Sequence, residues 1–235
     1  MVALGEYFFV TALWLCSMFA ISSQTPCANY PNHTIDSNGR DLILKIHNQK
    51  RVATATAQYR NGANAFKIRH AKNMMEMKYD CELEKAAHDI AVQCNGAETP
   101  QTSLTTEGEN FLKIDKVYSE IGTASNAIYT AGTKWFDEIT KNGINQNIDF
   151  TQYFANKKPT VYHWSQMVWA KTYKIGCEIA DCEDLKNKQY TIVVCRYSPK
   201  GNVVGTKVYQ PGQKLDCTYG TSVGYPSLCA YPPFS

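Results

Sequence analysis

The sequence predicts an α+β protein with a mainly antiparallel sheet, and three observations indicate this class. Amphipathic helical patterns come first, β-branched strand patterns follow, and a small cysteine-bearing tail ends the chain. Helices followed by strands, rather than alternating with them, are typical of α+β domains. With 235 residues, 44% hydrophobic and 19% charged, the chain suits one globular domain with a short appendage.

An apolar run over residues 7–21 predicts that residues 1–22 form a signal peptide. The run is shorter than a membrane span requires, and Ala20-Ile21-Ser22 offers small residues for cleavage. No Lys or Arg lies near Met1, so only the amino terminus supplies the positive charge typical of a signal peptide. A signal anchor is the alternative. No later segment is typical of a membrane span, so we expect a secreted protein without stable membrane insertion.

The cysteine count supports export. Cys16 lies in the predicted signal, and an even number of cysteines remains, which predicts four disulfides. The eight are Cys27, Cys81, Cys94, Cys177, Cys182, Cys195, Cys217 and Cys229. Their spacing leaves roughly a hundred connectivities open. A Cys177–Cys195 bridge is the first choice because their strands are close in sequence, and Cys182 is the competing partner.

Surface chemistry adds two expectations. Asn32 begins an Asn-His-Thr sequon, which predicts N-glycosylation of an exported chain. The net charge of +3 is mild and no block of Lys or Arg stands out, so no nucleic-acid partner is expected.

Four segments carry helical signals. The first begins near Asn38, in "GRDLILKIHNQKRVATATA", and the clearest is "YDCELEKAAHDIAVQC", with apolar residues at helical spacing and Asp80 as a good N-cap. A third helix is predicted over residues 125–140, and a fourth carries "VYHWSQMVWAKT". The polar stretch "NGAETPQTSLTTEGEN" is interpreted as a connector.

Strand signals lie later, in "KIGCEIA" and in "QYTIVVCRY", which is rich in β-branched residues. "SPKGNVVG" is typical of a turn that leaves the second strand. The predicted organisation is therefore an irregular N-terminal arm over residues 23–37, the main domain over 38–209, and a cysteine-rich C-terminal extension over 210–235.

Four motifs together resemble the CAP superfamily of cysteine-rich secretory, antigen 5 and pathogenesis-related class one proteins. They are "GENF" (108–111), "WFDEI" (135–139), "HWSQMVWAKT" (163–172) and "VVCRYSPKGNVVG" (193–205). With "LKIHNQKR" (44–51) and "YDCELEKAA" (79–87), the chain resembles the venom allergen-like, activation-associated secreted proteins of parasitic nematodes. The resemblance implies a three-layer α-β-α sandwich.

The resemblance also implies a central cleft lined by two histidines and two glutamates. Glu109, Glu138 and His163 match three of these positions, but the region after Cys94 contains no histidine. We therefore expect no cofactor. A divalent cation such as zinc is a weak candidate at His163, because this chain has one imidazole where the resemblance implies two. A structural role for His163, hydrogen-bonded to a glutamate, is favoured. Tyr162 departs from the small or charged residue usual before this histidine.

The resemblance implies non-catalytic lipid binding, with a sterol at the aromatic loop over residues 150–164 and a fatty acid between two helices. The candidate sterol contacts are Phe150, Tyr153, Phe154, Tyr162 and Trp164. The wider role implied is that of a released helminth effector that modulates the host.

Two alternatives stay open. The first is an immunomodulator that binds a host protein through its surface and needs no lipid. The second is a metal-dependent hydrolase that uses His163. The hydrolase is disfavoured because paired cysteines supply no nucleophile, and "GTSVG" (220–224) lies in the tail rather than between a strand and a helix. His47 and His70 are interpreted as helix-surface or packing residues.

Overall fold

The computed structural model describes residues 27, 34–63, 66–116 and 118–233. The predicted signal peptide and the glycosylation prediction at Asn32 lie outside these residues. In chain order the elements are α1 (Ser37–Ala55), β1 (Lys78–Tyr79), α2 (Cys81–Ala91), β2 (Gly108–Ile114), α3 (Tyr118–Ile121), α4 (Ala124–Asn142), β3 (Asp149–Phe150), α5 (Gln152–Asn156), α6 (Tyr162–Met167), β4 (Lys174–Glu183), β5 (Gln189–Ser198) and β6 (Thr206–Lys207).

The central sheet has four strands in the order β1-β4-β5-β2. The strands β4 and β5 form a long antiparallel hairpin, β2 pairs antiparallel with the other side of β5, and only the short β1 is parallel to its neighbour. The prediction of a mainly antiparallel sheet is confirmed. A separate two-stranded sheet joins β3 to β6.

Helices cover both faces of this sheet. The helix α2 packs on β4 and β5 from one side, while α1, α4 and α6 form the layer on the other side. The approach of α2 is close at Gly176, where an added Cβ would lie 2.1 Å from the backbone nitrogen of Glu84. Glycine is required there because any side chain would collide with the backbone of α2. The three-layer α-β-α sandwich implied by the resemblance is confirmed.

Most of the predicted elements occur close to their predicted positions. Asp80 caps α2 by accepting the backbone N–H groups of Glu82 and Leu83, as its position predicts. The helix predicted over residues 125–140 is α4, and both predicted strands, β4 and β5, form. The fourth helix was predicted within residues 161–172, but the observed helix α6 is shorter and ends at Met167.

The prediction of a connector was wrong for the last residues of that stretch, because Gly108–Ile114 forms the strand β2. Two polar residues concealed the strand in the sequence. Glu109 and Asn110 are buried and pair across the sheet with Arg196 and Cys195 of β5. Partners distant in sequence satisfy these side chains, so local polarity suggests a loop where the chain forms a buried strand.

Arg51 on α1 is a fully buried guanidinium that sequence patterns do not single out. It donates hydrogen bonds to five backbone carbonyls, those of Met75, Met167, Trp169, Ala170 and Thr172. Through these bonds Arg51 holds two segments against α1: the one that follows α6 and the one that leads into β1. Burial lowers the pKa of Arg51 to about 9.

Four disulfides join the described cysteines: Cys27–Cys81, Cys94–Cys182, Cys177–Cys195 and Cys217–Cys229. Cys177 and Cys195 face each other across β4 and β5, which is the pairing that the sequence favours. The C-terminal segment is bonded to the main domain, since Cys229 exchanges backbone hydrogen bonds with residues 74–76. In the part of the chain that the structure describes, no helix has the length and apolarity needed to cross a membrane.

Candidate functional site: a histidine cleft and an aromatic groove

His163 lies at the first turn of α6 and is held by Glu138 from α4. One oxygen of Glu138 accepts the backbone N–H groups of His163 and Trp164 at 2.9 and 3.0 Å, while the other lies 2.6 Å from Nδ1 of His163. Val161, which precedes α6, supplies no side-chain cap. Glu138 therefore caps α6 from a neighbouring helix and also orients the imidazole.

Glu98 approaches the same ring from the opposite side, with Oε2 3.5 Å from Nε2 of His163. Sequence reasoning missed this residue because it lies in the polar connector. The available signal was its position, since the resemblance implies a second histidine in the region after Cys94. Glu98, Glu138 and His163 are called the cleft cluster below.

The cleft cluster favours a charged imidazole. Burial by itself lowers the pKa of His163, but the hydrogen bond to Glu138 and the nearby charges of Glu138 and Glu98 outweigh it and raise the pKa to about 9. The pKa of Glu98 is lowered, mainly by its close approach to His163. The ring is therefore an imidazolium at neutral pH, held between two carboxylates.

Glu109 supports the cleft cluster through a loop and does not contact His163. Its carboxylate accepts the backbone N–H and the hydroxyl of Thr99, both at 2.8 Å, and lies 3.1 Å from Nη1 of Arg196. Thr99 follows Glu98 directly, so these bonds position the loop that carries Glu98. The sequence grouped Glu109 with Glu138 and His163, whereas the structure makes Glu109 the anchor of a neighbouring segment.

Further bonds attach this loop to α6 and to the strand end. The hydroxyl of Tyr162 donates to the side-chain oxygen of Gln101, and Nζ of Lys200 donates to the carbonyl of Leu104. Trp135 of α4 stacks on His163 with a centroid separation of 6.3 Å. Loop, helix and aromatic ring together enclose the imidazole, which explains its low exposure.

The cleft cluster does not fit a zinc site. Nδ1 of His163 is engaged by Glu138, so Nε2 and the carboxylate of Glu98 are the two donors that face each other. Zinc in proteins is held by three or four side-chain ligands. Within residues 34–63, 66–116 and 118–233, no three His, Cys, Asp or Glu side chains are arranged to hold a metal ion.

The aromatic residues proposed for lipid contact divide between core and surface. Phe150 and Trp164 are completely buried, so they do not line an accessible site and that part of the prediction is corrected. Phe150 packs edge-on against Trp169 because the pairing of β3 with β6 turns it inward. Tyr162 is half-buried beside the cleft. Tyr153 remains 66% exposed, whereas Phe154 beneath it is 7% exposed.

Tyr153 and Phe154 form one wall of an open hollow of about 540 Å³. The other walls are the segment around Asn61, the exposed Phe66, and residues 141–146 at the end of α4. A second hollow of about 460 Å³ adjoins it across Tyr153, lined by residues 152–153 and 156–158. We call the two hollows the aromatic groove. Phe66 and Lys141 were missed because they lie far in sequence from the aromatic loop.

The sandwich, the cleft cluster and the four disulfides define a disulfide-stabilised α-β-α domain with a histidine–carboxylate cleft. The chain belongs to the cysteine-rich secretory protein family, known as CAP, whose family model matches residues 44–197.

Known proteins similar to the chain agree with this membership. It is 30% identical over 203 residues to an Ancylostoma secreted protein of Ancylostoma caninum, covering 82% of this chain but 44% of that relative's length. It is 28% identical to a scoloptoxin of Scolopendra dehaani, covering 93% and 97%. Two solved structures are similar, NaASP2 with Zn²⁺ (TM-score 0.73, 30% identity, 85% and 98% covered) and BmVAL-1 (TM-score 0.75, 27% identity, 86% and 98% covered).

Proposed function

We propose that this chain is a secreted, non-catalytic protein that binds a sterol in the aromatic groove and acts as a helminth effector. The observation that carries the proposal is the exposure of Tyr153 at the edge of a hollow of about 540 Å³. A hollow of this size is within the usual range for small-molecule sites, and a flat apolar ligand gains free energy by covering exposed aromatic surface.

Support for release from the cell comes from the four disulfides and from relatives that are named as secreted and venom proteins. Disulfides persist in oxidising compartments, and relatives of this kind belong outside the cell. An effector role in a host is consistent with these names and is part of the proposal.

The groove is better supported than a fatty-acid site between helices. The helices α1 and α4 approach closely where Ile46 meets Gly132, and an added Cβ on Gly132 would lie 2.8 Å from the Ile46 side chain. Little space is left for an acyl chain at that contact. The groove, by contrast, is open to solvent.

A non-catalytic role is supported by the state of His163. An imidazolium held on both sides by carboxylates cannot accept a proton, and its pKa of about 9 keeps it charged at neutral pH. The cleft cluster is therefore proposed to position the loop over residues 98–104 on α6 rather than to activate water.

The test is direct binding of cholesterol to the purified protein, compared between wild type and Tyr153→Ala. We expect saturable binding that weakens by roughly tenfold in the variant, because an exposed aromatic contact is removed. Tyr129→Ala is the matched control, since Tyr129 is 64% exposed on α4, well before the groove residues at the end of that helix. Absence of saturable cholesterol binding by wild type would defeat the proposal.

One observation favours a second candidate, a surface that binds a host protein. The loop closed by Cys217–Cys229 exposes Val223 completely and Tyr219 by almost half. An apolar loop held rigid by a disulfide is suited to protein contact. Activity on host cells that is lost with Val223→Asp but unchanged with Tyr153→Ala would favour this candidate.

A further inference from the structure

The charged side chains of the aromatic groove all carry the same sign. Lys141 and Lys157 line the larger hollow, and Lys157 and Lys158 line the smaller one. Among the described lining residues of both hollows there is no Asp or Glu. The groove therefore combines an apolar aromatic wall with a cationic rim.

Lys157 is fixed at the wall of the groove. Its Nζ donates to the backbone carbonyls of Asn142 and Gly143, and it lies 5.5 Å from the ring centroid of Phe154. Carbonyl groups orient an ammonium group without cancelling its full charge. The described contacts of Lys157 include no carboxylate, so a net positive charge remains beside the aromatic pair.

The other two lysines are only weakly compensated. Lys141 lies 3.6 Å from Asp137 one helical turn away, and both side chains are well exposed. Lys158 lowers the pKa of Glu98, but that effect is smaller than the effect of His163 on the same carboxyl. Exposed pairs of this kind are screened by water and salt, so both ammonium groups remain available to a ligand.

The apolar part of the groove is placed to receive a rigid ring system. Tyr153 stands edge-on to Phe154 at a centroid separation of 5.1 Å, and Phe66, which lines the same hollow, exposes most of its side chain. A flat body that covers these rings lies in the same hollow as Lys141 and Lys157, so a negatively charged group on that body meets positive charge.

We infer that the preferred ligand of the aromatic groove is an anionic sterol, a flat apolar ring system carrying one sulfate group, with the sulfate attracted by the positive charge of Lys141 and Lys157 in the larger hollow and of Lys158 in the smaller one. This inference rests on the proposed function, because it specifies the ligand of the same site. The apolar contacts provide binding to any sterol, and the lysines discriminate in favour of the charged one.

The experiment compares cholesterol sulfate with cholesterol on the full wild-type chain, by titration below the aggregation limit of each ligand. We expect cholesterol sulfate to bind roughly fivefold tighter at low ionic strength, and the difference to shrink in 0.5 M NaCl, because salt screens exposed charges. Equal affinities would overturn the inference while leaving sterol binding intact. Binding of neither ligand would reject the proposed function and the inference together.

The double variant Lys141→Gln with Lys158→Gln tests the assignment of the discriminating charges. Both side chains are exposed and neither is among the described donors to backbone carbonyls, so folding should be unaffected. We expect the preference for cholesterol sulfate to fall by roughly threefold or more, with cholesterol affinity unchanged. Lys186→Gln, in the exposed turn between β4 and β5, is the matched control. A full preference in the double variant would contradict the inference.

Discussion

Glu98 and His163, 65 positions apart in the chain, lie 3.5 Å from each other through Oε2 and Nε2. Glu138 occupies the other ring nitrogen, so the imidazole is enclosed between two acids. A carboxylate thus stands where the family resemblance implies a second imidazole. This exchange turns a pair of metal donors into an ion pair, and several measurable consequences follow from it.

The first prediction concerns stability and pH. The folded-state pKa of His163 is about 9, above the ordinary value of 6.5, so its contribution to stability is complete below pH 6.5 and is lost between pH 6.5 and 9. The difference corresponds to at most roughly 3 kcal/mol. Urea unfolding at pH 6 and pH 9 should show a larger loss for wild type than for His163→Gln.

The buried His47 provides a check on this assignment. Burial lowers the pKa of His47 to about 4, so His47 affects stability between pH 4 and 6.5. His47 therefore does not contribute to the change in stability between pH 6.5 and 9 that we assign to His163. Equal losses between pH 6 and pH 9 in wild type and His163→Gln would show that the cleft cluster does not carry the charge we assign to it.

The second prediction concerns metal binding. Replacing Glu98 with histidine places a second imidazole near Nε2 of His163. Glu138 already accepts the proton on Nδ1, as carboxylates commonly do for histidines that bind zinc through the other ring nitrogen. We expect Glu98→His to bind Zn²⁺ at least about tenfold more tightly than wild type. Isothermal titration measures this, with Glu98→Gln as the control. Equal zinc affinity in Glu98→His and wild type would contradict the geometry described.

The third prediction concerns Arg51. Replacing it with methionine keeps apolar bulk but removes the guanidinium that donates to five backbone carbonyls. Of these, Trp169 and Ala170 still accept the backbone N–H groups of Thr172 and Met75. We expect Arg51→Met to lower the free energy of unfolding by about 3–5 kcal/mol. Chemical denaturation measures the change, and Arg60→Met, at an exposed position, should alter stability by less than about 0.5 kcal/mol. A small effect at Arg51 would mean that water replaces the guanidinium.

The fourth prediction separates two adjacent aromatic residues. Phe154 is buried, so Phe154→Ala should cost about 3–5 kcal/mol of stability, whereas Tyr153→Ala should cost less than about 0.5 kcal/mol. Thermal unfolding of the two variants checks this directly. The result also determines which variant is a valid binding probe, because loss of ligand binding in an unstable protein would carry no information about the groove.

Much of the architecture was predictable because it is locally encoded. The spacing of apolar residues after Asp80 predicts α2 and its cap, and the β-branched run over residues 189–197 predicts the central strand. The even cysteine count predicts four bridges, although only coordinates show which cysteines meet. The strand β2 escaped local patterns because its polar residues are satisfied by partners on β5.

The candidate site was less accessible to sequence reasoning. The resemblance identified His163 and Glu138, and the structure brings them into contact. It could not identify Glu98, because a glutamate in a polar loop gives no local sign that it will meet an imidazole. It also grouped Phe150 with Tyr153, although one is sealed in the core and the other faces solvent.

The sequence by itself determined the class of fold, the helical and strand periodicities, the disulfide chemistry and the family motifs, because each depends on residues close together in the chain. The tertiary structure alone decided which acid faces His163, which aromatic rings reach solvent and which lysines surround them. Those properties depend on contacts between distant segments, and burial and charge pairing arise only when the chain has packed.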